Sequence, residues 1–240
     1  MRLTRKSSFD IKTRIKMFLK KYRGKYYAQH AEDLIMHTLL NKMLKKDNVF
    51  YLDIGAGDAK FLSNTWLFYK NGSNGICYEA NENTYRKFKK TRERDIVYNS
   101  LVSENEEDMK FYEFDAHVLS TSDEESFKYL VENGFKVKNE KVMKSIPINE
   151  VVKNAFKVKE VDLLSIDIEG KEFELIQRID LGKYRPKVLC IEVVDFETGD
   201  NGKDTRDLIS YLRKKGYMLY ANTKVNCIFV DKESFRFLYQ

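Results

Sequence analysis

The first residues able to do chemistry are two glycines behind an acid. Val49-Phe50-Tyr51-Leu52-Asp53-Ile54 is an apolar, β-favouring run that breaks into Gly55-Ala56-Gly57. Glycines at such a break let the backbone turn sharply and approach a ligand closely. A helix is expected from about Phe61 to Lys70, with free N–H groups at its start. Further on, Gly75-Ile76-Cys77-Tyr78 forms a second short strand that ends in Glu79. An acid there can accept hydrogen bonds from both hydroxyls of a ribose. Strand, glycine turn, helix and acid together point to an adenosine-containing cofactor.

The spacing narrows the choice. A dinucleotide site uses G-x-G-x-x-G, whose third glycine admits close packing beside a pyrophosphate. That third position is Lys60. S-adenosylmethionine has no pyrophosphate and carries an amino group that an acid near the turn, Asp53, can hold. A second acid cluster closes another apolar run, Val161-Asp162-Leu163-Leu164-Ser165-Ile166-Asp167-Ile168-Glu169-Gly170. It reads as a central strand with Asp167 and Glu169 at its carboxyl end, the end where open α/β sheets bind ligands. In the bland alternative, Asp167 caps the next helix and Glu169 faces solvent.

These residues need a scaffold, and the chain has one of suitable size. Its 240 residues are 42% hydrophobic and 13% aromatic, which suits one globular α/β domain. The net charge of +6 is uneven, because residues 1–25 hold ten Lys/Arg against one acid and leave 33 basic against 36 acidic elsewhere. A mildly acidic body does not suit nucleic acid. We therefore read 1–25 as a basic amphipathic extension and 26–240 as the domain. The extension either packs on the domain or touches an anionic membrane. Cys77, Cys190 and Cys227 sit in separate strand-like runs, as buried thiols do in a reducing compartment. No run reaches the ~20 apolar residues of a bilayer span, and no signal-peptide core is present. The expected location is cytoplasmic.

The remaining elements follow in order. A helix continues from Gln29-His30-Ala31-Glu32-Asp33 to about Lys46, then a charged helix spans Asn83 to Arg94, and Asp95–Asn99 is a third strand. Lys110–Phe114 alternates like an antiparallel edge strand, Leu119–Asp123 is a polar loop, and Ser126–Asn133 is a helix stopped by Gly134. Lys144–Val152 is an extended piece entering a helix. After the acid-tipped strand come a helix from Glu172 to Ile179 and another strand, Lys187–Val194, with Glu192 and Asp195 near its end. A helix from Asp207 to Lys215 and a hairpin around Asn222-Thr223-Lys224 close the chain. Five βα-type strands followed by a hairpin suit a seven-stranded, mostly parallel sheet with helices on both faces, a Rossmann-like class I methyltransferase fold.

In four places, and in the same order, the chain resembles the FkbM-type family of S-adenosylmethionine-dependent methyltransferases. Tyr27–Asp33 is similar to that family's Ser-Gln-x-Gly-Glu-Asp motif, and Leu52–Asp58 to its Asp-Ile-Gly-Ala-Asn-x-Gly loop. Tyr78-Glu79-Ala80-Asn81 is similar to its Glu-Pro-Asn, and Ser165–Glu172 to its Lys-Ile-Asp-Val-Glu-Gly-x-Glu. Ala80 stands where the family has proline, and Ser165 where it has lysine. The resemblance implies methyl transfer to oxygen, often a sugar hydroxyl, so the partner expected is a small-molecule or glycan acceptor. It implies S-adenosyl-L-methionine held by Gln29, Asp53, Gly55, Gly57, Glu79, Asn81, Ser100 and Asp167. Asp167 and Glu169 would be catalytic, as a base or jointly holding a divalent cation. Two other readings remain: a nicotinamide-dependent oxidoreductase on a sugar nucleotide, disfavoured by Lys60 and the hairpin, and a non-catalytic scaffold with a basic docking arm.

Overall fold

The computed structural model describes residues 26–115, 120–193 and 203–238. What is expected of residues 1–25, of Leu119 and of Asp195 lies outside them. The strands are β1 Phe50–Ile54, β2 Asn74–Tyr78, β3 Ile96–Tyr98, β4 Leu101–Ser103, β5 Asp108–Phe114, β6 Val137–Pro147, β7 Leu163–Ile166, β8 Val188–Glu192, β9 Tyr217–Asn222 and β10 Asn226–Asp231. The α-helices are α1 Glu32–His37, α2 Trp66–Lys70, α3 Glu82–Thr91, α4 Glu124–Glu132, α5 Ile148–Val158, α6 Glu172–Gln177 and α7 Lys203–Lys214. A wider π-type turn, Thr38–Met43, prolongs α1.

The main sheet has the order β3-β2-β1-β7-β8-β10-β9, in which the first five strands run parallel and the last two form the expected antiparallel hairpin. All five residues of β1 and of β8 are buried, as parallel strands covered on both faces require. Alternation splits them between two cores. Phe50, Leu52 and Ile54 pack with α5, α6 and α7, whereas Val49 and Tyr51 pack with α1, α2 and α3.

A second sheet, of order β4-β6-β5, is inserted after β3. The expected antiparallel strand at Lys110–Phe114 is part of it. Its long partner β6 was legible only at its end, because most of Val137–Lys144 is exposed and half of it is charged. With α4 it closes a small core of Tyr112, Phe114, Leu130 and Phe135.

The helix after β1 is shorter than expected and begins at Trp66. Asp58 Oδ1 accepts the amides of Lys60 and Phe61, and Ser63 Oγ those of Thr65 and Trp66. Local side-chain bonds thus take the amides a helix would need, and Leu62 adopts a φ of 55°.

Beneath this loop lies a buried polar network. Arg92 is fully buried and pairs with Asp95 at 2.7 Å. It also donates to Tyr51 Oη and Thr65 Oγ1, each at 2.9 Å, while the Thr65 hydroxyl donates to Asp53. The guanidinium lies 4.5 Å from the Phe88 ring centre. Removing one partner of such a pair strands a buried charge. Arg92→Met should cost about 3–5 kcal/mol of stability, read as a lower urea midpoint with an unchanged slope.

Candidate active site

The glycine turn and the acid-tipped strand meet at the carboxyl end of the sheet. Strands β1 and β7 are in parallel register, Ile54 beside Ile166, and the Asp167 amide donates to the Ile54 carbonyl at 3.0 Å. Gly55 has φ 75°, and a Cβ there would lie 1.6 Å from the Asp167 carbonyl oxygen. Only glycine fits. The glycine turn and Asp167 are therefore backbone neighbours.

A cavity opens above them. One wall is Gly55, Ala56, Gly57, Asp58, Phe61 and Leu62; another is Tyr78, Glu79 and Ala80; and Asp167, Ile168 and Glu169 form a third. The inserted sheet and its flanks add Ser100, Leu101, Val102, Phe111 and Ser120. The turn's amides are not free, as a helix N-terminus would leave them. Gly55 and Ala56 donate to the Tyr78 carbonyl, each at 3.0 Å, and Gly57 to Glu79 Oε2 at 2.8 Å. Glu79 Oε1 accepts the Asn81 amide at 2.7 Å. Each carboxylate oxygen keeps a further lone pair for a ligand hydroxyl. Burial pushes the Glu79 carboxyl up to about 7 against the pull of these two amides.

The acids cluster at the other wall. Asp167 follows Ile166 and Glu192 follows Ile191, and those isoleucines are register partners on β7 and β8. Oxygens of Asp167, Glu169 and Glu192 all lie within 4.8 Å of one another. Burial raises Asp167 to about 6 against a hydrogen bond with Glu192, and it raises Glu169 and Glu192 well above the usual carboxylate range, with the Asp167 charge adding to both. Asp167 does not cap the next helix. The residue preceding α6 is Lys171 and makes no side-chain cap, and Glu169 lines the cavity. The local cap is Glu172, whose Oε1 accepts the Ile168 and Gly170 amides at 3.0 Å each.

Of the residues expected at the site, Gly55, Gly57, Glu79, Ser100, Asp167 and Glu169 line the cavity. Asp53 lies one layer below. Its position in β1 turns it toward the face of Tyr51, where it is 3% exposed, bonded to Thr65 and alongside Ser165. Burial raises its pKa, with the Arg92 charge opposing. Asn81 caps α3 through the Thr84 amide at 3.1 Å and orders Glu79. Gln29 is half-buried in the turn before α1, away from the cavity wall. In the same segment, Asp33 accepts the Tyr27 amide and Glu32 the Thr223 hydroxyl, which ties the segment to the closing hairpin.

Arg92, Thr65 and Phe111 gave no sequence signal: Arg92 pairs with Asp95 nearby but meets Tyr51 and Thr65 only through the fold, and Phe111 reaches the cavity only through the inserted sheet. Glu192 did give one: like Glu79 and Asp167, it is an acid at the end of an apolar strand.

The strand order, the terminal hairpin and a glycine turn facing an acid on the next strand define a class I, Rossmann-like methyltransferase fold. The model of the methyltransferase FkbM domain matches residues 53–219, well over half the chain. The chain belongs to the FkbM family of S-adenosylmethionine-dependent methyltransferases. No curated relative matches it. Among solved structures it is similar to a TehB-like SAM-dependent methyltransferase from Corynebacterium glutamicum, at 10% identity over 94% of this chain and 98% of that one, with a TM-score of 0.41. A methyltransferase from Geobacter sulfurreducens matches at 8% identity over 91% and 88%, with a TM-score of 0.45. Fibrillarin from Aeropyrum pernix, solved with natively bound S-adenosyl-L-methionine, matches at 9% identity over 82% and 72%, with a TM-score of 0.38.

The donor set fits this cofactor. A Cβ at Gly57 would meet nothing nearer than 4.0 Å, so the turn is open on its outer face, and Glu79 stands beside it. The ionised Glu79 is the stronger acceptor. Cofactor binding below about pH 7 should therefore release a proton, and binding well above that pH should release none. Calorimetry in buffers of different ionisation enthalpy reads this directly. Glu79→Ala should weaken cofactor binding by ~1–3 kcal/mol and remove the proton release.

Proposed function

We propose that the chain methylates a hydroxyl oxygen on a sugar, glycan precursor or related small metabolite. The observation carrying this reading is that Asp167 and Glu169 face the same cavity as Glu79 and the glycine turn. When bound, the cofactor supplies an electrophilic sulfonium methyl: the new C–O bond forms as the C–S bond breaks, and the bonding pair stays on sulfur. The protein's part is alignment, exclusion of water and removal of one proton. Glu79 and the turn hold the adenosine end. Asp167 or Glu169 accepts the proton that leaves the acceptor hydroxyl. Burial favours this role, because a carboxylate raised toward neutrality is a stronger base than an exposed one.

A second reading has Asp167 and Glu169 jointly holding a divalent cation that lowers the hydroxyl's pKa. The proximity of the three carboxylates supports it. As part of the same proposal, the chain works in the cytoplasm, a reading supported by three free, buried cysteines, and the basic residues 1–25 either pack on the domain or contact an anionic membrane surface. No described helix is long and apolar enough to cross a membrane.

S-adenosylhomocysteine should raise the melting temperature, and NAD should not, since only a ligand of the folded state stabilises it. Asp167→Asn keeps the shape and removes the charge. Its turnover on a hydroxyl acceptor, found by mass shift, should fall ~10²-fold or more, with cofactor affinity near that of the native chain. Native turnover in both Asp167→Asn and Glu169→Gln would sink the assignment. A rate abolished by chelator and restored by magnesium or manganese selects the cation reading. For the arm, binding to acidic vesicles should fade as salt rises and vanish when residues 1–25 are deleted.

A further inference from the structure

The loop that carries Glu169 has an unusual backbone. Glu169, Gly170 and Lys171 have φ values of 62°, 132° and 67° in succession. Glycine adopts such angles freely, but Glu and Lys do so only where surrounding contacts hold them. Two sets of contacts do so. Glu172 binds the amides on either side of Glu169, as described above. The other set comes from the inserted sheet. Thr121 Oγ1 donates to the Glu169 carbonyl at 3.0 Å.

Thr121 is itself immobilised. It is fully buried, its backbone bridges Tyr112 of β5 in both directions at 2.8 and 3.1 Å, and its hydroxyl accepts the Asp123 amide at 3.0 Å. The next turn presses on the same loop: a Cβ at Gly170 would lie 3.0 Å from Asp123 Cβ, and Lys171 Nζ stands 3.6 Å from Asp123 Oδ1.

We infer that Thr121 is a positioning residue, through which the inserted sheet holds Glu169 in a left-handed conformation that keeps its carboxylate at the cavity wall. This rests on the reading of Glu169 as part of the reaction centre. The physical reason is local. Without the hydroxyl, the Glu169 carbonyl loses its donor, and the left-handed turn is held from one side only, by Glu172. Glu169 then relaxes to negative φ by rotation about its N–Cα bond, which carries its carbonyl away from Thr121 and its side chain off the wall. Glu172 does not replace the lost bond: it binds the Ile168 amide and the Gly170 end of the peptide whose carbonyl end Thr121 holds.

The test compares Thr121→Val, which keeps the shape and loses the donor, with Thr121→Ser, which keeps the donor. Crystal structures of both variants read the Glu169 backbone, and calorimetry with S-adenosylhomocysteine reads the cofactor site. The valine variant should show Glu169 at negative φ, unchanged thioether affinity, and turnover reduced about tenfold, the scale of one lost hydrogen bond. The serine variant should keep the positive φ and turnover within about twofold. Should the valine variant fail to fold, Thr121→Ala replaces it with the same expectations. A positive φ at Glu169 in the donor-less variant overturns the inference, whatever the turnover. So does a serine variant that loses as much as valine. If no hydroxyl acceptor is ever methylated, the proposed function fails, while the backbone comparison still decides the role of Thr121.

Discussion

The structure hinges on a contact too close for any side chain, between Gly55 and the carbonyl of Asp167. It sets β1 and β7 side by side just where both leave the sheet. A parallel sheet ends its strands at one level, and its crossovers leave a crevice there. The contact fixes which residues border that crevice: the glycine turn from one strand and a carboxylate from the other. A Cβ at Gly55 would push the strands apart and separate the cofactor turn from the proposed base.

What keeps the turn in place lies underneath it. Arg92 is expensive to bury, and it is satisfied by Asp95, Tyr51 and Thr65 together with the faces of aromatic rings. Through Thr65 this network reaches Asp53, so the acid before the glycines is held by the core. Its service to the site is indirect: it fixes the floor on which the turn rests. The exposed side of the same loop carries Phe61, 43% exposed at the cavity rim, while Ser63, Asn64 and Thr65 point inward. The loop has its polar residues buried and an aromatic one outside, which suits a segment whose outer face meets a ligand.

The electrostatics of the far wall follow from topology. Parallel neighbours β7 and β8 end in step, so acids at their ends are brought together and share a desolvated environment. Asp167 raises the proton affinity of Glu169 and Glu192, while its hydrogen bond with Glu192 holds its own down against burial. The inserted sheet covers the same wall and, through Thr121, holds the loop that bears Glu169. One insertion thus both walls the cavity and braces the loop.

The sequence by itself determined the strands of the main sheet and most of the helices between them, the terminal hairpin, the glycine turn and the acids at three strand ends. These are local matters of periodicity and turn chemistry, written within a few residues of one another. Part of the cavity wall was legible for that reason: Gly55, Gly57, Glu79, Asp167 and Glu169 each sit at the end of an apolar run. Only the tertiary structure decided which face Asp53 takes, where α2 begins, that Glu192 stands beside Asp167, and that Arg92 and Thr121 support the site. Each of those depends on a partner far away in the chain, on strand register or on burial. A hydroxyl 48 residues before a carbonyl leaves no mark in the local pattern, because the contact exists only once two sheets have packed.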